Sequence, residues 1–212
     1  METKLLKTGT TTVGIVCKEG IILAADKKAT MGNLVHSLKE EKVVVVNDNL
    51  AVTTAGLVSD IQLLLKIVKA QIKLEELRRG KILTTKESVN LLAGLIYSNI
   101  RKYSTIAGIT GFLAGGKDGQ GYHLYSLGMD GALTEVDSFT CDGSGMEFAM
   151  GVIESQYKQG LTVEEGKKIA IMAVSTAMAR DTASGGGIDI VTITKDGVKK
   201  VYSEQLKTSL GN

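Results

Sequence analysis

Thr8-Gly9-Thr10-Thr11-Thr12-Val13-Gly14 is the first stretch of this chain whose residue types could do chemistry. Hydrolysis of the Gly9–Thr10 bond would leave Thr10 with a hydroxyl and a free α-amine, a compact pairing of nucleophile and base on one residue. The bland alternative is the opening of a β-strand, since threonine favours pleated backbone. A Ser-His-Asp arrangement would need an imidazole instead. The chain has two histidines. His123 falls inside an alternating strand pattern and His36 in a polar loop stretch, and neither stands beside a nucleophile motif. The base role therefore shifts away from imidazole, and an α-amine fits it.

Other residues admit a chemical and a structural reading side by side. Asp26-Lys27-Lys28 follows an apolar strand and reads as a turn. Lys42 precedes Val43–Val46 and reads as a solvated strand end. Ala55-Gly56 leads from a strand into a helix, by close packing or with a backbone N–H aimed at a developing oxyanion. Gly143-Ser144-Gly145 precedes a helix and reads as an N-cap. It fails the G-x-S-x-G nucleophile pattern, because its glycines flank Ser144 directly at 143 and 145 and not two residues away on either side. Arg180-Asp181-Thr182-Ala183-Ser184-Gly185-Gly186-Gly187 reads as a helix end with glycine caps, then a mobile loop. Gly115-Gly116-Lys117-Asp118 lacks the GK[ST] context of a phosphate loop and reads as a hairpin turn.

The elements that must position these residues follow from period and punctuation. Thr11–Cys17 and Ile21–Ala25 flank Lys18-Glu19-Gly20 as a hairpin, and Lys42–Asn47 with Ala51–Thr54 form a second. Leu57, Ile61, Leu64, Leu65, Val68, Ile72 and Leu77 recur at helical spacing up to Gly80. Thr84-Thr85-Lys86-Glu87 is a capping box opening a helix through about Tyr103, and Thr162-Val163-Glu164-Glu165 opens another towards Arg180. Between them, Thr110–Ala114, Tyr122–Leu127 and Ala132–Phe139 read as strands, and Gly145 to Tyr157 as a helix. Ile188–Thr194 and Val198–Tyr202 close the chain as a hairpin over Lys195-Asp196-Gly197. Strands in runs and helices in pairs predict an α+β fold of mostly antiparallel sheets, each covered by a helix pair, in a single domain.

Composition narrows the function classes. The 212 residues are 43% hydrophobic, enough for a sizeable core, and 25 basic side chains nearly balance 23 acidic ones. That balance argues against binding to nucleic acid or a membrane surface through bulk charge. No apolar run reaches the roughly 18 residues of a membrane span. The leader Met1–Lys7 lacks the apolar stretch of a secretory signal, so a cytoplasmic protein is expected. Cys17 and Cys141 lie far apart with no CxxC motif, which predicts buried thiols and no metal. Proline is absent, so turns fall to Gly, Asn and Asp.

In combination these pieces resemble the archaeal-type 20S proteasome β subunits, members of the N-terminal-nucleophile hydrolases. The resemblance spans about Thr10 to Leu206. It rests on Gly9–Gly14, Ile22-Leu23-Ala24-Ala25-Asp26, Thr54-Ala55-Gly56-Leu57-Val58, Gly143-Ser144-Gly145 leading into Gly151-Val152-Ile153-Glu154-Ser155, and Arg180–Gly186. It implies a four-layer αββα sandwich and a threonine endopeptidase without metal or organic cofactor. Residues 1–9 would be a propeptide removed by self-cleavage between Gly9 and Thr10, leaving 10–212 as the catalytic domain. Thr10 would be the nucleophile, Asp26 and Lys42 its core partners, and Gly56 the oxyanion donor. Ser144, Asp181 and Ser184 would support the amine. A free α-amine has a pKa of roughly 7.7–8.0, so only about a seventh is neutral at pH 7. A nearby ammonium such as Lys42 would lower that pKa, and a drop of about one unit would leave more than half neutral.

The resemblance also implies a pocket for the residue before the cut, lined by Ala29, Thr30, Glu40, Thr54 and Val58. It would favour apolar side chains and disfavour acidic ones. It implies heptameric β rings between heptameric α rings, unfolded polypeptides as substrates and, indirectly, an ATPase regulator. Three alternatives stand beside this one: a non-catalytic or unprocessed structural β subunit, a bacterial heat-shock-type threonine peptidase, and a small-molecule amidohydrolase of the same superfamily.

Overall fold

The computed structural model describes residues 9–205. Of the expected leader only Gly9 lies among them; Met1 to Thr8 and the end of the resemblance at Leu206 fall outside. The first strands are β1 (Thr12–Cys17), β2 (Gly20–Asp26), β3 (Ala29–Met31), β4 (Leu34–Ser37), β5 (Val43–Asn47), β6 (Leu50–Thr53) and β7 (Ala55–Gly56). Helices α1 (Val58–Arg79) and α2 (Thr85–Arg101) follow, then β8 (Thr110–Asp118), β9 (Gly121–Leu127), β10 (Leu133–Val136) and β11 (Phe139–Asp142). Helices α3 (Met146–Gln156) and α4 (Val163–Arg180) precede β12 (Gly187–Thr194) and β13 (Gly197–Gln205).

One large sheet runs β11-β1-β2-β12-β13 and a second β10-β9-β8-β6-β5, with β7 hydrogen-bonded to β8, while β3 and β4 pair as a separate two-stranded sheet. Every pairing is antiparallel. The period-2 alternation of strands assigns the layers. From β2, Ile22 and Ala24 join Ala149, Ile153, Ala173 and Val174 of the α3–α4 pair. Ile21, Leu23 and Ala25 point the other way and meet Leu113, Leu124 and Ala51 of the second sheet. Phe112 and Ala114 face Ile61, Leu64, Val89 and Ile96 of the α1–α2 pair. Three apolar layers between four layers of elements make the αββα sandwich.

Local signals account for most boundaries. Both capping boxes form: Thr84 accepts from Glu87 N and Thr162 from Glu165 N, with each glutamate returning to the cap backbone. Helix α1 stops at Gly80, whose φ of 64° supplies the left-handed end that glycine adopts without strain. Cys17 and Cys141 are free and buried. Burial pushes both thiols up to about 12, which leaves them inert at neutral pH.

The structure departs from expectation at several places. The segment 132–139 is two strands in different sheets: Val136 pairs with Leu124, while Phe139 pairs with Ile15 and packs its ring at a tilt against Tyr157. Gly115 and Gly116 lie inside β8, not in its turn. A Cβ on Gly115 would come 2.9 Å from Ile21 of the facing sheet, and one on Gly116 would come 2.4 Å from Thr85. His36 sits on β4, not in a loop. The Gly143–Gly145 stretch does supply the cap of α3, but through Gly145 and with no side-chain cap bond from Ser144. Helix α4 ends on Asp181 and not on a glycine.

Candidate functional site

The ends of several elements converge on Thr10. The β1–β2 register continues one step beyond the strand, with Asp26 N donating to Thr11 O at 3.2 Å. Asp26 is the last residue of β2 and Lys42 directly precedes β5, so the two come from opposite sheets. Ser144 lies between β11 and α3, and Asp181 with Ser184 follows α4.

Asp26 is fully buried and its carboxylate is fully engaged. Oδ1 accepts from Lys42 Nζ at 2.8 Å and Thr11 N at 2.9 Å. Oδ2 accepts from Lys28 N at 3.0 Å and Gly185 N at 2.9 Å. Such saturation is what a carboxylate without water requires. The expected solvated strand end at Lys42 is wrong: the residue is 5% exposed. Burial pushes the Lys42 ammonium below its ordinary pKa, against the opposing pull of Asp26, Glu40 and Asp181. Its Nζ also donates to Gly9 O at 3.2 Å.

That same carbonyl accepts from Thr10 Oγ1 at 2.6 Å. The Gly9–Thr10 bond is intact, so Thr10 N is an amide, and it donates to Ser144 Oγ at 3.2 Å. Ser144 Oγ in turn donates to Asp181 Oδ2 at 2.6 Å, and Ser184 Oγ donates to the same oxygen at 2.6 Å. With its proton so used, Ser184 Oγ accepts from Thr11 Oγ1 at 2.7 Å. Burial alone would raise Asp181, but the two hydroxyls and Ala183 N together hold its carboxyl below the usual range. Thr10 N, Ser144, Asp181, Ser184 and Thr11 thus form one continuous chain of bonds.

Glycines set the close approaches. A Cβ on Gly9 would lie 1.7 Å from Ala183 Cβ, so only glycine fits before Thr10. A Cβ on Gly143 would lie 2.1 Å from Thr10 O, and Gly56 has a φ of 118° with Ile109 O against its open face. These are places where side chains would displace the backbone.

Two cavities meet at Thr10 and Gly56. One, of about 150 Å3, is lined by all five expected pocket residues, Ala29, Thr30, Glu40, Thr54 and Val58, together with Lys42. Val44, Glu41, Ile61, Gln62 and Leu65 also line it and went unanticipated. The other, of about 580 Å3, lies on the Ser144 side. All seven residues expected at the catalytic centre therefore surround one point. Sequence reading missed Thr11 Oγ1 and the N–H groups of Lys28, Ala183 and Gly185. Only the glycine run at 185–187 hinted at a close backbone approach. His123, as expected, is elsewhere, between Asp118 and Glu135. Among the described residues no helix is long and apolar enough to cross a membrane, and no cluster of three or more His, Cys, Asp or Glu side chains could hold a metal.

Comparison with known proteins shows the family. A family model described as "Proteasome subunit" matches residues 6–193. Proteasome subunit beta 1 of Thermococcus kodakarensis is 42% identical over 202 residues, covering 95% of this chain and 97% of the relative. Proteasome subunit beta of Archaeoglobus profundus is 40% identical over 205 residues, covering 96% and 93%. Proteasome subunit beta 2 of Pyrococcus abyssi is 42% identical over 202 residues, covering 95% of each.

Proposed function

The chain belongs to the proteasome subunit family, as an archaeal-type 20S β subunit that assembles with other subunits into proteasome rings, and from that premise we propose that it is a threonine endopeptidase that matures by cutting its own Gly9–Thr10 bond. The observation that carries the proposal is the Gly9 carbonyl oxygen, held by Lys42 Nζ on one side and Thr10 Oγ1 on the other.

In maturation, Oγ1 adds to the Gly9 carbonyl carbon and the charge gathering on Gly9 O is stabilised by Lys42. The C–N bond breaks, the hydroxyl proton passes to the nitrogen of Thr10, and Gly9 is left as an ester on Oγ1. Water hydrolyses that ester and residues 1–9 depart. The freed amine then stands where the amide stood, beside Ser144 Oγ. Lys42 disfavours a second positive charge next to it, so the amine is kept neutral and takes the Oγ1 proton when a substrate carbonyl is attacked. Asp26 holds Lys42; Ser144, Asp181 and Ser184 orient the amine; Gly56 N–H receives the oxyanion. An acyl-enzyme forms and water releases it.

Ala29 and Val58 in the small cavity suit an apolar side chain before the cut, Thr54 leaves room for a broader choice, and Glu40 opposes acidic residues. Substrates are unfolded polypeptides admitted to the chamber of heptameric β rings flanked by heptameric α rings, fed by an ATPase, in the cytoplasm. The test is intact mass after co-expression with an α subunit, followed by peptide hydrolysis. Loss of residues 1–9 with peptidase activity supports the proposal. Assembled particles that keep the leader and cleave nothing would mark a structural β subunit instead.

A further inference from the structure

The larger cavity beside Thr10 has a chemistry unlike the smaller one. The smaller is lined by two cations, Lys28 and Lys42, as well as two carboxylates, Glu40 and Glu41. The larger has no cationic lining residue among those described, and two acidic ones, Asp142 and Asp130. Asp142 is the deeper of the pair, at the end of β11 and two residues before Ser144. Its Oδ1 is fixed by Gly143 N at 2.7 Å, and its Oδ2 accepts no hydrogen bond among the described residues. Room for that oxygen exists because residue 111 is glycine; a Cβ there would sit 2.4 Å from Asp142 Oδ2. Burial pushes the Asp142 carboxyl above its ordinary pKa, the mark of a carboxylate short of partners. Met129, Met146, Ile109 and Leu127 supply the apolar remainder of the wall.

We infer that this cavity receives the polypeptide beyond the scissile bond and that Asp142 makes it select a lysine or arginine side chain there. The inference rests on the proposed peptidase reading, in which the half of the substrate before the cut occupies the smaller cavity. A chain crossing Thr10 must then leave over Gly56 and Ser144 into the larger one. A lysine or arginine lays its aliphatic stem along the methionines and brings its charged head to Oδ2, while a glutamate meets only like charge.

The test uses the processed wild-type particle and internally quenched peptides identical up to the cut, with Lys, Ala or Glu next after it. The expected kcat/KM ratio of Lys to Glu is about tenfold or more, and Asp142→Asn brings it within about threefold. A ratio near one in the wild type, or an unchanged ratio in the variant, overturns the inference. Should the variant not assemble, mapping every cut made by the wild type in a denatured protein decides the matter. Enrichment of Lys and Arg immediately after the cuts sustains the inference and an even distribution defeats it. A processed particle that cuts none of the peptides would instead sink the peptidase reading, and this inference with it.

Discussion

At the scale of single residues, the site is defined by what cannot be changed around the Gly9 carbonyl. Gly9 has no room for a methyl, with Ala183 Cβ at 1.7 Å and the Ala183 backbone at 2.7 Å from where one would fall. Gly9→Ala must therefore shift the scissile bond away from Lys42 and Thr10, and a displacement of about 1 Å costs about a hundredfold in rate. Intact-mass time courses should show the leader lost at least that much more slowly. Ala183→Gly in the same chain should recover part of the rate, because it removes the Cβ clash while the backbone of residue 183 still crowds the new methyl. Lys42→Ala strands Asp26, which is fully buried, and should cost about 3–5 kcal/mol in unfolding free energy. It should also leave residues 1–9 attached, since nothing then faces the charge on Gly9 O. Thr10→Ser keeps the hydroxyl and should still process, whereas Thr10→Ala should not.

At the scale of elements, the helices were far more readable than the strand ends. Thr162 and Glu165 close a capping box visible as four letters, and Thr162→Ala should lower unfolding free energy by about 1 kcal/mol, read as a shifted urea midpoint at constant slope. The 3.6-residue recurrence from Ile61 to Ile72 likewise names the buried face of α1. Residues 132–139 were opaque because both halves alternate; only the third dimension shows that Val136 and Phe139 belong to different sheets. Gly115 and Gly116 looked like turn residues, yet their small size serves packing against Ile21 and Thr85. The candidate site divides in the same way. Thr10, Asp26, Lys42, Ser144, Asp181 and Ser184 were readable because their side chains carry the chemistry. The N–H groups of Lys28 and Gly185 on Asp26 were not, since every residue but proline has one.

For the molecule as a whole, three carboxyls set opposing responses to acid. Asp189 is buried on β12. Burial would raise its pKa, but Ser203, Lys27 and Lys200 outweigh it and hold the carboxyl below the usual range, as happens at Asp181. A carboxyl depressed on folding contributes stability above its unfolded pKa of about 3.9, and loses it as pH falls through the lower folded value. Asp142 runs the other way: burial raises it, so the folded chain is penalised at neutral pH and relieved as pH falls through the raised value. Unfolding midpoints measured against pH at fixed chain concentration, because assembly couples to stability, should separate the two kinds. Asp189→Asn should cost about 1–3 kcal/mol at pH 7 by unpairing Lys27 and Lys200, and should flatten the loss below pH about 4. Asp142→Asn should raise stability at pH 7 and converge on the wild type in acid. Parallel curves for Asp142→Asn and the wild type across that range would mean that its carboxyl titrates alike folded and unfolded, and its burial beside Thr10 would then carry no electrostatic consequence.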